Sequence, residues 1–187
     1  MYRPTLFLVV GLLLFVGLTA CASPYGVYAD RRPIEVQKDD VFLRSKVGDE
    51  LKAQGFTDVN ELTVHVYFGR VFLTGEVPEN QRAKAVQTAQ GVAGVKSVTP
   101  HWFVSLKVRM TESDTALKLR LEKNLVSAGG VTSSRIDSVV NSGRVVLLGV
   151  TENAEERDAA VSAARGTSGV RSVTSFLFIR DMEPASL

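Results

Sequence analysis

The chain carries one sequence pattern twice, and the two copies lie 74 to 75 residues apart. Residues 69–75, GRVFLTG, recur as residues 143–149, GRVVLLG. Residues 94–99, GVKSVT, recur as residues 169–174, GVRSVT. Two matches in the same order and at nearly the same spacing indicate a duplicated folding unit. The function must therefore be sought in a module that occurs twice.

The amino terminus has the pattern of an export signal. Arg3 is the only charged residue before Cys21, and an apolar stretch runs from Leu6 to Val16. A short positive region, an apolar core and small residues before a cleavage point are typical of a signal peptide, which we assign to residues 1–20. The stretch is close to the minimum of about 17 residues that spans a bilayer, so an uncleaved membrane anchor is the alternative.

The single cysteine of the chain follows this signal directly. The sequence Leu18-Thr19-Ala20-Cys21 resembles the lipobox of bacterial lipoproteins. The resemblance implies that Cys21 becomes the first mature residue and is acylated on its sulfur and amine, with palmitate as an expected acyl group. No second cysteine is available for an internal disulfide. Ala22, in place of an aspartate that would imply inner-membrane retention, implies an outer membrane location facing the periplasm.

Charge and composition set further limits. The chain has 22 basic and 20 acidic residues, so no overall charge drives it onto nucleic acid. Each repeat spans only about 65 residues, a size at which a separate core is marginally stabilising, so docking of the copies would help. Residues 21–40 contain Pro24, Gly26 and Pro33 without an apolar period. This composition predicts a lipidated, flexible tether.

Apolar periodicity predicts the order helix, strand, strand, helix, strand in each repeat. The second helices, from about residues 79–90 and 155–165, should end at Gly91 and Gly166 in the left-handed conformation that glycine adopts without strain. The first helices carry apolar side chains at four-residue intervals. These are Leu43, Val47 and Leu51 in the first copy and Leu117, Leu121 and Leu125 in the second.

The two middle strands of each copy should form a hairpin. Asn141-Ser142-Gly143 supplies residues that tolerate positive φ at the turn of the second copy. Gly75 and Gly149 fall at strand positions that face the helices, where a larger side chain would overpack the core. The most economical architecture is α+β, with two helices on one face of a three-stranded mixed sheet.

The Gly-x-Val-x-Leu-x-Gly strand and the Gly-Val-x-x-Val entry to the last strand resemble the BON domain, a bacterial periplasmic module. The resemblance covers roughly residues 41–105 and 114–180 and implies two tandem αββαβ BON domains, at residues 41–110 and 114–180. A lipobox, a tether and two such domains are together similar to the dual-BON outer-membrane lipoproteins of Gram-negative bacteria. That similarity implies binding of anionic phospholipid and support of outer-membrane integrity.

Catalytic and metal-binding patterns are absent from the sequence. His65 should point outward from a strand and His101 follows a proline, and neither has a ligand at metal-binding spacing, so both are predicted as surface or rim residues. The acidic residues between 152 and 158 should favour the positive end of a helix dipole rather than hold a metal. We therefore expect no enzymatic activity and no cofactor.

Two Gly-x-x-Gly segments, residues 91–94 and 166–169, have the spacing of the loop that clamps nucleic acid in KH domains. That loop joins two helices, whereas these segments join a helix to a strand and lack basic residues. An export signal argues independently against nucleic acid as a partner.

The first helix of the second repeat has an unusual outer face. Leu119, Lys123 and Val126 fall opposite the core stripe, with Ala116 and Arg120 beside them. An apolar face flanked by cations is typical of interfacial helices, so this face is a candidate contact for an anionic phospholipid membrane. The alternative is that Leu119 and Val126 dock against the first repeat. The candidate phospholipid-binding residues are Leu119, Arg120, Lys123 and Val126.

Two functional hypotheses follow from these patterns. The first is a lipid-anchored, periplasm-facing module that binds anionic phospholipid and supports outer-membrane integrity. The second is a protein-interaction scaffold for an envelope assembly or division partner, in which the anchor only supplies location. A hydrolase ranks far below both because no nucleophile, base and orienting group occur together. The sequence leaves the oligomeric state and any protein partner open.

Overall fold

The computed structural model describes residues 30, 32–56, 62–105 and 113–180. The predicted signal peptide, Cys21 and half of the predicted tether lie outside these residues. Within them, no helix has the length and apolar character needed to cross a bilayer.

Each repeat has the predicted order of helix, strand, strand, helix, strand. Repeat one comprises α1 (Ile34–Ala53), β1 (Thr63–Tyr67), β2 (Arg70–Gly75), α2 (Glu79–Gln90) and β3 (Ser97–Trp102). Repeat two comprises α3 (Asp114–Ser127), β4 (Ile136–Asn141), β5 (Arg144–Thr151), α4 (Ala154–Arg165) and β6 (Ser172–Ile179), with a 3₁₀ turn at Ser133–Arg135. The α+β prediction of two tandem three-stranded units is confirmed.

Each sheet is mixed, and both helices of a repeat cover the same face of its sheet. β1 pairs antiparallel with β2, which pairs parallel with β3, and β4, β5 and β6 repeat this arrangement. The predicted apolar stripes of α1 and α3 are buried in these two cores. Small residues on the second helices are also fully buried, which brings those helices close to the sheet. They are Ala85 and Ala89 on α2 and Ala160 and Ala164 on α4.

The faces of the sheets that lack helices pack against each other. Val71 and Leu73 of β2 point to the helices, whereas Phe72 between them points to the other sheet. Successive side chains of a β-strand point to opposite faces of the sheet, so the same strand contributes to both contacts. The molecule therefore has four layers in the order helix, sheet, sheet, helix. The shared layer contains Tyr67, Phe72, Phe103, Val146, Leu148 and Val150, with Phe68, Val139, Phe176 and Phe178 packed around them.

Equivalent residues of the two repeats exchange contacts across this interface. The Arg70 guanidinium lies 5.1 Å from the ring centroid of Phe178, and the Arg144 guanidinium lies 5.1 Å from that of Phe103. Arg70 and Arg144 occupy matching positions in the duplicated sequence, as do Phe103 and Phe178. The repeats are thus related by an approximate two-fold axis, like the subunits of an isologous dimer.

The predicted tether is wrong for its last seven residues, because α1 begins at Ile34 rather than near residue 41. Arg32, whose side chain is 8% exposed, pairs with Asp30 at 2.6 Å and with Asp40. The Gln37 amide donates to the backbone carbonyls of Asp30 and Arg32, at 2.8 Å in each case. These contacts hold the incoming chain on repeat one, although its composition resembles that of a flexible linker.

The glycines after the second helices do not adopt the predicted left-handed conformation. Gly91 has φ −73° and Gly166 has φ −75°, both in the right-handed region. The reversal comes three residues later, at Gly94 and Gly169, where φ is +101° and +97°. The chain therefore completes one more turn before it enters the last strand.

Candidate functional site

The outer face of α3 is exposed to solvent. Leu119 is 64% exposed and Val126 is 69% exposed, while Leu117, Leu121 and Leu125 on the opposite side are buried. The repeats dock through their sheets, so α3 lies in an outermost layer and makes no part of that interface. The alternative that Leu119 and Val126 dock against repeat one is therefore wrong.

The amino-terminal end of α3 is fixed by two side chains. The Ser113 hydroxyl accepts a hydrogen bond from the backbone N–H of Ala116 at 3.2 Å, which caps the helix. The Asp114 carboxylate accepts hydrogen bonds from the backbone N–H groups of Ser142 and Gly143, at 2.7 and 3.2 Å. α3 is thus tied to the tip of the β4–β5 hairpin, where both turn residues have positive φ as predicted.

The middle of α3 is held by the loop that joins α4 to β6. The Asn124 amide donates to the hydroxyl of buried Thr167 at 2.9 Å. The Arg120 guanidinium donates to the backbone carbonyl of Ser168 at 2.7 Å. Thr167 and Ser168 are the intervening residues of the Gly-x-x-Gly segment at 166–169, which therefore orients α3. Arg120, predicted to contact lipid, is also a positioning residue of this helix.

Charge on the outer face of α3 is biased toward the positive. Lys123 is exposed and lies between Leu119 and Val126 along the axis of the helix, on the same outer face. Glu122 lies beside this face, and its Oε1 is 3.8 Å from the Nζ of Lys118. That pair offsets the nearby acid, so Lys123 and Arg120 give the face its cationic character. An exposed apolar strip beside cations suits a surface that presents hydrocarbon and anionic groups together.

Repeat one does not reproduce this face at the matching positions. Ser45 stands where repeat two has Leu119, Asp49 stands where it has Lys123, and Lys52 stands where it has Val126. The central part of the α1 outer face is accordingly polar and includes an acid. The candidate site is therefore a feature of repeat two that repeat one lacks, although the two repeats share the same fold.

The acidic segment at the start of α4 forms a buried ion-pair network. The Glu156 carboxylate, 5% exposed, pairs with Arg135 at 2.9 Å and accepts backbone N–H groups from Thr132 and Glu152 at 2.7 and 2.6 Å. Burial alone would raise the pKa of Glu156, but these hydrogen bonds and the Arg135 charge hold it below its ordinary value. The Asn153 side chain caps α4. Among the described residues, no cluster of three potential metal ligands occurs.

The prediction that His65 is a surface or rim residue is wrong. His65 is buried between the repeats, because its strand face packs on the second sheet. Its Nδ1 lies 3.4 Å from Oδ2 of Asp137, which also accepts a 2.6 Å hydrogen bond from the Tyr67 hydroxyl. The His65 ring, and after it the Tyr67 hydroxyl, lowers the pKa of Asp137 to about 2 against partial burial. These groups form a polar contact between the repeats.

His101 lies at the rim of the same interface and is half-buried. Its ring centroid is 5.1 Å from that of Phe103 and 6.0 Å from that of Phe176. Burial, together with the positive charge of Arg144, lowers the pKa of His101 below its ordinary value. The rim location is as predicted, and the aromatic surroundings give the ring a packing role.

Asp40 and Asp114 are important residues that the sequence analysis missed. Asp40 accepts hydrogen bonds from the backbone N–H groups of Phe68 and Gly69, both at 2.8 Å, as Asp114 does for the second hairpin. Phe68 has φ +55°, which is strained for a bulky residue, so these bonds stabilise the turn. The signal was available, because the two aspartates stand 74 residues apart, the spacing of the hairpins.

The chain matches the BON domain family at residues 39–102 and again at residues 113–181. It is 32% identical over 157 residues to outer membrane lipoprotein DolP of Haemophilus influenzae, an alignment that covers 79% of this chain and 78% of DolP. It is 28% identical to osmotically-inducible protein Y of Escherichia coli, over 74% of this chain and 72% of that protein.

Two further similarities are more distant. The chain is 25% identical to a 21 kDa hemolysin of Actinobacillus pleuropneumoniae, over 77% of this chain and 76% of the hemolysin. A solved structure of CdsD, a structural protein of the type III secretion system of Chlamydia trachomatis, aligns with 72% of this chain and 92% of its own. The TM-score is 0.31 at 14% identity, which is too low to inform the fold further.

Proposed function

Because the chain belongs to the BON domain family, with two BON domains and similarity to the outer membrane lipoprotein DolP, we propose that it is a lipid-anchored, non-enzymatic module of the outer membrane. In this proposal Cys21 is the acylated residue, and the two repeats face the periplasm. The anchor confines the repeats to a membrane surface, where they contact anionic phospholipid and support the integrity of the envelope.

The contact with lipid is made by the outer face of α3. Its support is the exposure of Leu119 and Val126, 64% and 69%, on a helix whose core stripe and hydrogen bonds hold it in place. Lys123 lies between the two apolar side chains and pairs with the phosphate of an anionic headgroup. Arg120 flanks them while its guanidinium is bonded to Ser168.

The expected free energy of binding indicates that the α3 contact is weak and depends on the anchor. Partial insertion of Leu119 and Val126 delivers about half of the 1.5 to 3 kcal/mol for full burial of each side chain. Each basic residue near an anionic surface adds about 1 kcal/mol. The sum of about 3 to 5 kcal/mol corresponds to a dissociation constant of roughly 1 mM. An acyl anchor makes such a contact effective by raising the local concentration.

Reversing the character of the α3 outer face should sharply weaken binding to anionic lipid. The test uses the mature chain with Cys21→Ser, with and without Leu119→Asp and Lys123→Glu, because separating the repeats would expose their shared sheet interface. Co-sedimentation with concentrated vesicles containing phosphatidylglycerol should recover much less of the double variant than of the parent chain. Moderate salt should weaken binding of the parent, since salt screens exposed charges.

A matched control carries the same change in charge elsewhere on the surface. Val104 is 61% exposed and Lys96 of repeat one is exposed, so Val104→Asp with Lys96→Glu alters one apolar and one basic residue outside α3. This control should bind the vesicles as the parent does. Equal binding by the parent and the α3 variant, or parent binding that ignores lipid charge, would reject lipid contact by α3. Absence of binding by the parent would favour a protein-interaction scaffold.

Acylation at Cys21 is tested separately in cells. Growth with a fatty-acid analogue that carries a clickable group should label the wild-type protein, because Cys21 is the only cysteine of the chain. The Cys21→Ser variant should carry no label and should leave the membrane fraction. Persistent labelling of Cys21→Ser would contradict the assignment.

A further inference from the structure

A second exposed apolar patch lies on α1, in the helix layer opposite α3. Ile34 is 52% exposed, Val41 is 69% exposed and Phe42 is 63% exposed. At 100° per residue these side chains fall on the side of α1 that faces away from its buried stripe, with Lys38 between them. The Lys46 ammonium lies 4.4 Å from the ring centroid of Phe42. We call Ile34, Lys38, Val41 and Phe42 the α1 patch.

The α1 patch lies next to the end of the segment that follows Cys21. Arg32 stacks its guanidinium on the rings of Tyr67 and Phe68, at 5.2 and 5.4 Å from their centroids. Its ion pairs with Asp30 and Asp40 hold the chain there. Ile34 is four residues beyond Asp30, so it lies within about 14 Å of that point. The described part of the chain thus begins beside the patch.

The length of the remaining tether favours this side of the molecule. Eight residues lie between Cys21 and Asp30, so nine Cα-to-Cα steps join them and can span at most about 30 Å. The four layers separate the outer faces of α1 and α3 by about 30 Å, since stacked sheets lie about 10 Å apart and a helix is about 10 Å wide. A chain of this length reaches the α1 side without full extension, whereas the α3 side requires near-full extension.

We propose that the α1 patch is a second membrane-contact surface, which engages the anionic lipid surface next to the anchor while the Arg32 contacts hold the tether on repeat one. The α1 and α3 faces point in opposite directions, so a flat membrane contacts one of them at a time. Loss of the Arg32 contacts frees additional tether and shifts the balance toward α3. The proposal rests on membrane attachment at Cys21 but not on lipid contact by α3.

The charge around the α1 patch fits a lipid surface but is weaker than that on α3. Lys38 lies within the patch, and Lys46 lies beside it on the flank that also carries Glu35 and Asp39. These acids reduce the attraction to anionic headgroups, so hydrophobic insertion of Val41 and Phe42 contributes more here. We therefore expect anionic lipid to strengthen the contact without being its sole cause.

The single cysteine and single tryptophan of the chain allow a direct test. The Cys21 thiol of the mature chain is coupled to a maleimide phospholipid in vesicles of brominated phosphatidylcholine and phosphatidylglycerol. In a Trp102→Phe background, either Phe42→Trp or Leu119→Trp supplies the only fluorophore, and bromine quenches it on contact with the acyl region. The two reporter positions are matched, at 63% and 64% exposure.

We expect quenching in the Phe42→Trp chain to be several times that in the Leu119→Trp chain. Adding Lys38→Glu should reduce the quenching of the Phe42→Trp reporter. Arg32→Ala, introduced into both reporter chains, should lower the ratio of Phe42→Trp quenching to Leu119→Trp quenching. Absence of quenching in the coupled Phe42→Trp chain, or quenching that never exceeds that of the Leu119→Trp chain, would overturn the proposal.

A longer tether separates this proposal from the α3 contact. A Gly/Ser-rich insert after Cys21 lets either face reach the bilayer, because such linkers are flexible. The Leu119→Trp chain with this insert should then be quenched if α3 binds lipid. Absence of quenching in the Leu119→Trp chain with the insert would reject lipid contact by α3. Strong quenching of the Phe42→Trp chain without the insert would still support the α1 patch.

Discussion

Replacing Gly149 with valine is expected to destabilise the protein by about 2 to 6 kcal/mol. Gly149 has φ +141°, and a Cβ at this position would lie 2.1 Å from the backbone oxygen of Arg135. The substitution therefore combines backbone strain with a clash that neither strand relieves by a side-chain movement. The melting temperature should fall by roughly 5 to 20 °C, as measured by circular dichroism.

Gly129→Val is the matched control for this experiment. A Cβ on Gly129 meets no atom within 4 Å, and its φ is not in the left-handed region, so the same added side chain should change stability by less than about 0.5 kcal/mol. Gly75→Val should fall between the two, because Gly75 is buried but has no positive φ. Equal melting temperatures for Gly149→Val and Gly129→Val would contradict the close approach of β4 and β5.

Removing the Glu156 carboxylate should cost about 3 kcal/mol, since it leaves a buried guanidinium short of its partner. The Glu156→Ala variant retains the contact between Arg135 and Glu152 at 2.9 Å but loses the pair with Arg135 and the two backbone hydrogen bonds. Urea denaturation should show the loss. Glu155→Ala is the control, because Glu155 is exposed one residue earlier in the same helical turn.

The effect of Glu156 should depend on pH in a defined direction. Its folded-state pKa is lowered, so its contribution is complete above the ordinary carboxyl pKa and is lost as the pH falls through the folded-state value. The stability difference between the wild type and Glu156→Ala should therefore be largest at about pH 7 and should shrink as the pH falls below the ordinary carboxyl pKa of about 4.3. A difference that persists undiminished in acid would contradict an ionised, buried Glu156.

The duplicated secondary structure was predictable because local signals agreed with the final packing. The four-residue spacing of Leu43, Val47 and Leu51 fixed both the helix and its buried side. α2 was predicted at the bounds that it has in the structure, because alanines and a following glycine mark its inner face and its end. The sequence placed Leu119 and Val126 opposite the core stripe but left open whether they contact a membrane or dock against repeat one. Only the way in which the repeats dock shows that both side chains are exposed.

The sheet-to-sheet interface was not predicted, although a signal was present. Val145, Val146, Leu147 and Leu148 form a continuous apolar run, the pattern of a strand that is buried on both faces. Strand periodicity indicated only the face toward the helices, so His65 on the other face was predicted to lie at the surface. Long-range pairing of this kind is not contained in the periodicity of one segment.

The structured end of the tether was missed for a different reason. Pro33 and the charges around it suggested a linker, yet Pro33 stands directly before the first residue of α1, where its missing N–H removes no hydrogen bond within the helix. The ion pairs of Arg32 with Asp30 and Asp40 stabilise this segment through contacts that composition does not reveal. Tertiary contacts thus outweighed local composition at residues 32–40.

The proposed lipid contact by α3 is tested most directly by nuclear magnetic resonance at single-residue resolution. The mature chain with Cys21→Ser is titrated with bicelles that contain phosphatidylglycerol, and backbone amide shifts are followed. We expect changes on α3 centred on Leu119, Lys123 and Val126, and their loss with phosphatidylcholine alone. Shifts on α3 that are no larger than those on α4, or that are identical with both lipids, would contradict the proposed function.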